Sequence, residues 1–237
     1  VTALRVGAAF PDPPFNGALA GVRDSGLDVD LMGEIAHALG LDAEFVPYQG
    51  PDFNRIFDAL NSGAYDCVAS GTTVAQHRQR RAAFGTPYLE SGQSLAVDVT
   101  RLPHVRSIDD LEGLTIGVQQ GNTSQPIADS LVARGRAARV RVYDYGSIRA
   151  ALTDLTTGGC DVFMKLAPVL TALVQPVTGV EVVSTGISHE GIAIAVPVSD
   201  PGLGSRIGAA QSALEAAGRL GEIRRRWLGS SRLDQSH

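Results

Sequence analysis

Two nine-residue segments repeat one pattern: LNSGAYDCV (Leu60–Val68) and LTTGGCDVF (Leu155–Phe163) share Leu-x-x-Gly-x-x-Asp ahead of an apolar strand. The runs LRVG from Leu4 and LTIG from Leu114 open the two copies. Each copy then reads strand, helix, strand, helix, strand. Strands separated by single helices form parallel sheets with right-handed crossovers, and such sheets take ligands outside the carboxyl ends of their strands. The echo therefore predicts an α/β chain of two lobes, each a mostly parallel sheet flanked by helices.

In the first copy, Asp28 to Leu39 carries Leu31, Ile35 and Leu39 at helical spacing and stops at Gly40. The strand AEFVPY follows, then a helix from Phe53 to Leu60 and a strand from Cys67 to Ser70. In the second copy, TIGVQ, RVRVY and DVFMK read as strands. Helices are expected at Pro126–Arg134 and, with Ser147 as its cap, at Ser147–Thr156. The alternating runs Ser94–Val99 and Ala193–Val198 are expected to be two hinge crossings. That gives a discontinuous first lobe, residues 1–95 plus 193–237, and a second lobe, residues 96–192.

A chain of 237 residues, 44% hydrophobic, can bury two modest cores. Its net charge of −5 is spread without runs, and no basic patch is interleaved with aromatics, which argues against nucleic acid as a partner. The cluster Arg224–Arg226 is expected to face solvent near the end of a terminal helix. The longest apolar runs fall far short of the roughly 18 residues of a membrane span. No charged n-region or apolar h-region opens the chain, so any export signal is expected to have been removed or to lie outside it. Cys67 and Cys160 fall in different lobes and are expected to be buried free thiols. Five scattered histidines give no metal-ligand spacing, and neither a metal nor a cofactor is expected.

The stretch Ser62–Tyr88, SGAYDCVASGTTVAQHRQRRAAFGTPY, places a strand, a Gly-Thr-Thr turn and an arginine where one small carboxylate can be gripped. The Gly71 backbone and the Thr73 hydroxyl would donate hydrogen bonds, and Arg78 would supply a planar, permanently charged fork. Arg80 and Arg81 read as solvated.

Gly63, Asp66, Ser70, Gly71, Thr73, Arg78, Phe84, Pro87 and Tyr88 together resemble the pattern of bacterial extracellular solute-binding proteins of the amino-acid type, family 3. The resemblance extends through LRVG, PPF (Pro13–Phe15), GLDVDL (Gly26–Leu31), LTIGVQQGNT (Leu114–Thr123) and RRRWLG. It implies a two-lobe, type II periplasmic-binding-protein-like fold and a monomer outside the cytoplasmic membrane. It also implies a small-molecule ligand bearing a carboxylate, and the membrane subunits of an ABC importer as partner. Arg78 matches the arginine that takes an α-carboxylate in this family. Asn122 and Thr123, leading a helix in the second lobe, would complete that carboxylate's coordination and so close the lobes. Phe53 and Phe15 fall where rings meet the ligand's body, with Phe15 also read as core. Asp12 falls where many members carry an aromatic residue.

Family members that bind free amino acids usually carry an aspartate where this chain has Leu166. Just before it stands Lys165, the sole lysine among nineteen arginines. Lys165 would meet a second anionic group on the ligand, or else pair with a neighbouring acid or point away. With Arg55 and Arg78 it favours a dicarboxylate or an acidic amino acid. If the ligand has an ammonium, Asp12 or Glu190 would hold it. Two other functions share this fold: a sensing or accessory domain, and a cyclohexadienyl-dehydratase-like enzyme. The second lacks its acid at Leu166 and leaves His189–Glu190 as the pair to test.

Overall fold

The computed structural model describes residues 2–17 and 25–229. The chain divides into two compact units: Val1–Gln49 with Ile56–Glu90 and Gly191–His237, and Gly50–Arg55 with Ser91–Glu190. Its elements in chain order are β1 (Ala3–Ala9), α1 (Leu27–Ala38), β2 (Asp42–Tyr48), α2 (Ile56–Asn61), β3 (Cys67–Val68), α3 (Gln76–Gln79), β4 (Ala83–Phe84) and β5 (Leu89–Ser91). Then come β6 (Gln93–Asp98), β7 (Thr115–Gln119), α4 (Ser124–Ala133), β8 (Arg139–Tyr143), α5 (Ile148–Thr157), β9 (Val162–Leu166), α6 (Ala167–Val174) and β10 (Val180–Ser184). The chain closes with β11 (Glu190–Ile192), β12 (Ala195–Val196), α7 (Pro201–Ala216) and α8 (Arg219–Leu228).

The first unit holds a five-stranded sheet in the order β2-β1-β3-β12-β4. The strands β2, β1 and β3 are parallel, while β12 runs antiparallel to both β3 and β4. Helix α1 buries Leu27, Leu31, Met32 and Ile35, and α2 buries Ile56, Phe57 and Leu60. Each such side chain removed from water contributes about 1.5–3 kcal/mol against the entropy of ordering it.

The second unit repeats the plan in the order β10-β6-β9-β7-β8. Here β8, β7 and β9 are parallel and β6 is antiparallel to β9 and β10. Its core gathers Leu95, Val97, Ile116, Val118, Leu131, Val162 and Met164.

The repeated aspartate has one job in both units. Asp66 Oδ2 accepts the N–H of Arg5 at 2.8 Å and Asp161 Oδ2 accepts that of Thr115 at 2.9 Å. In return, the N–H of each aspartate donates to the carbonyl of the same residue, Arg5 or Thr115. The pattern thus pins the third strand of each unit to the start of its first.

Several details differ from the sequence reading. Ser94–Val99 lies almost wholly in β6, a central strand of the second unit, and Ala193–Val198 contains β12 of the first. The chain passes between units at Gln49/Gly50, Arg55/Ile56, Glu90/Ser91 and Glu190/Gly191, and β5 and β11 pair at the last two. Both runs alternate because they are sheet strands, a pattern that does not mark a hinge. Ser147 stands at the start of α5, but its side chain makes no capping hydrogen bond. Arg224 is not a solvated end charge: its Nε donates to the Tyr88 carbonyl at 2.7 Å and its guanidinium pairs with Glu215. Both cysteines are free and buried.

Candidate functional site

In the first unit Gly71 and Thr73 lie on the loop that leaves β3, and Arg78 follows in α3. Ser70 Oγ accepts the Ala9 N–H at 3.0 Å, tying the loop's start to the end of β1. Thr73 bridges to Ile192, and the Thr72 carbonyl accepts from the Ala193 N–H at 3.0 Å. Gly71 has φ +53°, and a Cβ there would stand 2.7 Å from the ring of Phe15, which is fully buried. Phe15 is therefore a floor beneath the loop, consistent with its core reading.

Arg78 is 2% exposed. Its Nη1 donates to the Thr73 carbonyl at 3.1 Å and its guanidinium carbon lies 5.9 Å from the centre of the Phe57 ring. A guanidinium is thus held at the loop by backbone and ring, both of which fix the plane of its fork. Arg81 is not simply solvated, since it pairs with Asp58 and also lies over Phe57.

The Gly71 N–H, expected to meet a ligand, instead donates to Asp28 Oδ2 at 2.7 Å. Asp28 is fully buried and also accepts from Tyr88 Oη at 2.5 Å and from Asn16 Nδ2 at 3.5 Å. Burial pushes its carboxyl up to about 7, against the pull of the Tyr88 and Gly71 hydrogen bonds. Burial and then the Asp28 charge raise the Tyr88 hydroxyl well above its usual range. Asp12 is buried in a short bridge to Asn16, and its charge adds to the rise at Asp28. Asp28 was missed as a functional candidate. Its signal was present: it shares the buried face of α1 with Leu31, Met32 and Ile35, an acid on an apolar stripe.

In the second unit two groups form at the carboxyl ends of β7 and β9. One surrounds Lys165, which is 3% exposed. Its Nζ donates to Gln119 Oε1 at 2.7 Å and lies 5.4 Å from the centre of the Tyr145 ring. Phe53 stacks on Tyr145 at 5.1 Å. Phe53 and Arg55, expected in the first lobe, belong to a segment that packs with the second unit, where Phe53 is buried and Arg55 exposed. The segment lies over Gly121, at φ +80°, where a Cβ would come within 2.1 Å of Asp52 Oδ1. Gln119 and Tyr145 were not singled out in the sequence, because a buried glutamine ending an apolar strand carries no distinctive pattern.

The other group surrounds Thr123 at the head of α4. The Gly121 and Asn122 N–H groups, expected to face an anion, donate to Gln125 Oε1 and the Gln119 carbonyl. The Thr123 hydroxyl donates to Glu190 Oε2 at 2.8 Å and accepts from Gln93 Nε2 at 3.0 Å. Gln93 Nε2 also donates to Glu190 Oε1 at 3.0 Å, as does Ser188 Oγ at 2.6 Å. Gln93 stands directly opposite Leu166 in the β6–β9 register.

The family model for "Bacterial extracellular solute-binding proteins, family 3" matches residues 4–230. The chain belongs to that family. It is 26% identical over 235 residues to ABC transporter arginine-binding protein 1 of Escherichia coli (strain K12), covering 95% of this chain and 90% of the relative. It is 23% identical over 228 residues to the L-cystine-binding protein TcyJ of the same strain, covering 96% and 83%. An ancestral arginine-binding protein solved with bound arginine superposes with a TM-score of 0.86 at 31% identity, covering 97% of this chain and 99% of that one. The family 3 chain thus has the type II periplasmic-binding-protein fold, built from two α/β units.

Proposed function

We propose that this chain captures a small amino acid outside the cytoplasmic membrane through its carboxylate, and delivers it unchanged to an ABC importer. The observation that carries the reading is Arg78: a guanidinium almost wholly withdrawn from solvent, set in α3 just beyond the loop that leaves β3 and oriented by Thr73 and Phe57. A planar guanidinium matches a carboxylate with two parallel hydrogen bonds, each stronger than a neutral one. The arginine- and cystine-binding relatives support an amino acid over a simple dicarboxylate. So do the cations of the second unit, where Arg55 is exposed while Lys165 is buried on Gln119 and Tyr145.

The importer's membrane subunits are the proposed partner, and the acting form is a monomer. No acid stands at Leu166, which caps α6 and is buried, and this favours binding without chemistry. The test is a thermal-shift screen of the purified chain against the standard amino acids and small dicarboxylates, followed by calorimetry on the best compound. A bound ligand at 100 times its Kd raises stability by about 2.7 kcal/mol. Arg78→Ala should abolish the shift, and a shift that survives it would overturn the reading.

A further inference from the structure

We propose that Asp28 is a proton-sensitive positioning residue for Arg78: ionised, it holds the Gly71 turn in the form that takes a ligand, and protonated, it releases that turn, so affinity falls as pH falls. The inference rests on the amino-acid reading above. The loop between β3 and α3 is tied at both ends by bonds that do not titrate. Ser70 Oγ accepts the Ala9 N–H, the Thr72 carbonyl accepts the Ala193 N–H at 3.0 Å, and the Val74 N–H donates to the Gly191 carbonyl at 2.8 Å. Gly71 lies between these ties, and its N–H is held by Asp28 Oδ2. Thr73, two residues on, passes the position to the guanidinium, since its carbonyl accepts from Arg78 Nη1.

The Gly71 N–H, Tyr88 Oη and Asn16 Nδ2 all donate to Asp28. That set suits a carboxylate, which only accepts, whereas a protonated carboxyl needs an acceptor for its own O–H. Asn16 supplies one. It is fully buried, its Oδ1 has no hydrogen-bond partner, and its Nδ2 reaches only to 3.5 Å from Asp28 and 3.4 Å from the Ala69 carbonyl. Turning the Asn16 amide over brings Oδ1 to the Asp28 proton and withdraws Nδ2 from Ala69, which leads into the turn. A neutral carboxyl is also a weaker acceptor for the Gly71 N–H than a charged one. Protonation thus undoes two ties on one segment. Tyr88 does not follow, because backbone bonds to Ile192 and Arg224 fix it. Buried Asp12 adds like charge to the burial that holds the Asp28 carboxyl at about 7. Cations on the elements around α1 are paired with other acids: Arg219 and Arg226 with Glu34 and Asp30, Arg224 with Glu215, and Arg5 with Asp66.

The test is calorimetry on the full chain from pH 5.5 to pH 8 with every standard amino acid except histidine and cysteine, whose side chains titrate there. The best ligand should bind about 5- to 150-fold more weakly at pH 5.5 than at pH 8, the usual range of a coupling between two sites. Because the ionised form binds better, binding at pH 6.5 should expel protons, read from the heats in two buffers of different ionisation enthalpy. Asp28→Asn should flatten the profile. Tyr88→Phe removes a donor to the ionised form and should move the midpoint to higher pH, which keeps the test open if Asp28→Asn does not fold. His77 is exposed beside Arg78, and burial lowers its titration below the usual histidine range, so His77→Gln is the control and should leave the profile unchanged. Tight binding with a flat or reversed profile, or with no protons expelled, would overturn this inference and leave the amino-acid reading standing. So would a profile that persists in Asp28→Asn, an unmoved midpoint in Tyr88→Phe, or a profile lost in His77→Gln. Failure of every amino acid to bind at any pH would overturn both.

Discussion

The carboxylate of Asp28 accepts the backbone N–H of Gly71 at 2.7 Å, so a buried acid on the first helix holds the loop that carries Thr73 and leads into α3 with Arg78. Because burial raises the folded carboxyl to about 7, above the unfolded value near 3.9, the native state binds more protons than the unfolded state between those limits. Stability from this group is therefore highest below about pH 4 and falls as pH rises towards 7, by at most about 4 kcal/mol for a shift of this size. Urea unfolding at pH 5 and pH 8 should show wild type losing stability across that interval. Asp28→Asn, which cannot ionise, should flatten the slope, and a parallel slope in the variant would contradict the assignment.

Gly71→Ala should destabilise the first unit by about 1–3 kcal/mol, because the new Cβ must sit in a left-handed backbone conformation and against the Phe15 ring. The ring is fully buried and has little room to yield. Adding Phe15→Leu should recover part of the loss. Thermal melts of the single and double variants measure that coupling, and additive losses would contradict it.

The repeat was the part of the fold most legible in the sequence, and its reason is local. Asp66 and Asp161 each close the same pair of backbone hydrogen bonds, so both copies had to keep the spacing Gly-x-x-Asp before a strand. Arg78 was legible for the same reason, lying a fixed distance beyond that strand. What escaped was set by tertiary pairing. Whether the Gly71 N–H or the Thr123 hydroxyl is free depends on Asp28 and Glu190, which stand 43 and 67 residues away in the chain. Alternation in Ser94–Val99 was read as a hinge crossing, whereas the run lies almost wholly in β6, paired with β9 and β10, and its place is set by that tertiary pairing.

Asp66 is held more firmly than a plain strand-closing aspartate. Burial pushes its carboxyl up, but the hydrogen bonds and charge of Arg5 outweigh this and hold it below the usual carboxylate range. Arg5 Nη2 lies 2.6 Å from Asp66 Oδ1, whereas Arg101 lies 3.5 Å from Asp161. Asp66→Asn and Asp161→Asn should both destabilise by about 1–2 kcal/mol, since each removes the acceptor for the backbone N–H at the start of its unit's first strand. The loss on Asp66→Asn should shrink as pH falls from the unfolded carboxyl value, about 3.9, through the depressed folded one. Melts of wild type and Asp66→Asn from pH 7 to pH 3 check the pH dependence, and melts of Asp161→Asn at pH 7 check the second loss.

Lys165→Met tests whether the sole lysine is a structural cation or a ligand contact. The methionine keeps most of the apolar stem but removes the donor to Gln119 and the charge over Tyr145. Gln119 Oε1 would then be left buried without its ammonium donor, at a cost of about 1–3 kcal/mol. The structure predicts that this loss appears in the melting temperature of the ligand-free chain, with the affinity for the amino acid found by screening changed less than tenfold. A fall in affinity of 100-fold with an unchanged melt would instead give Lys165 a direct place at the ligand.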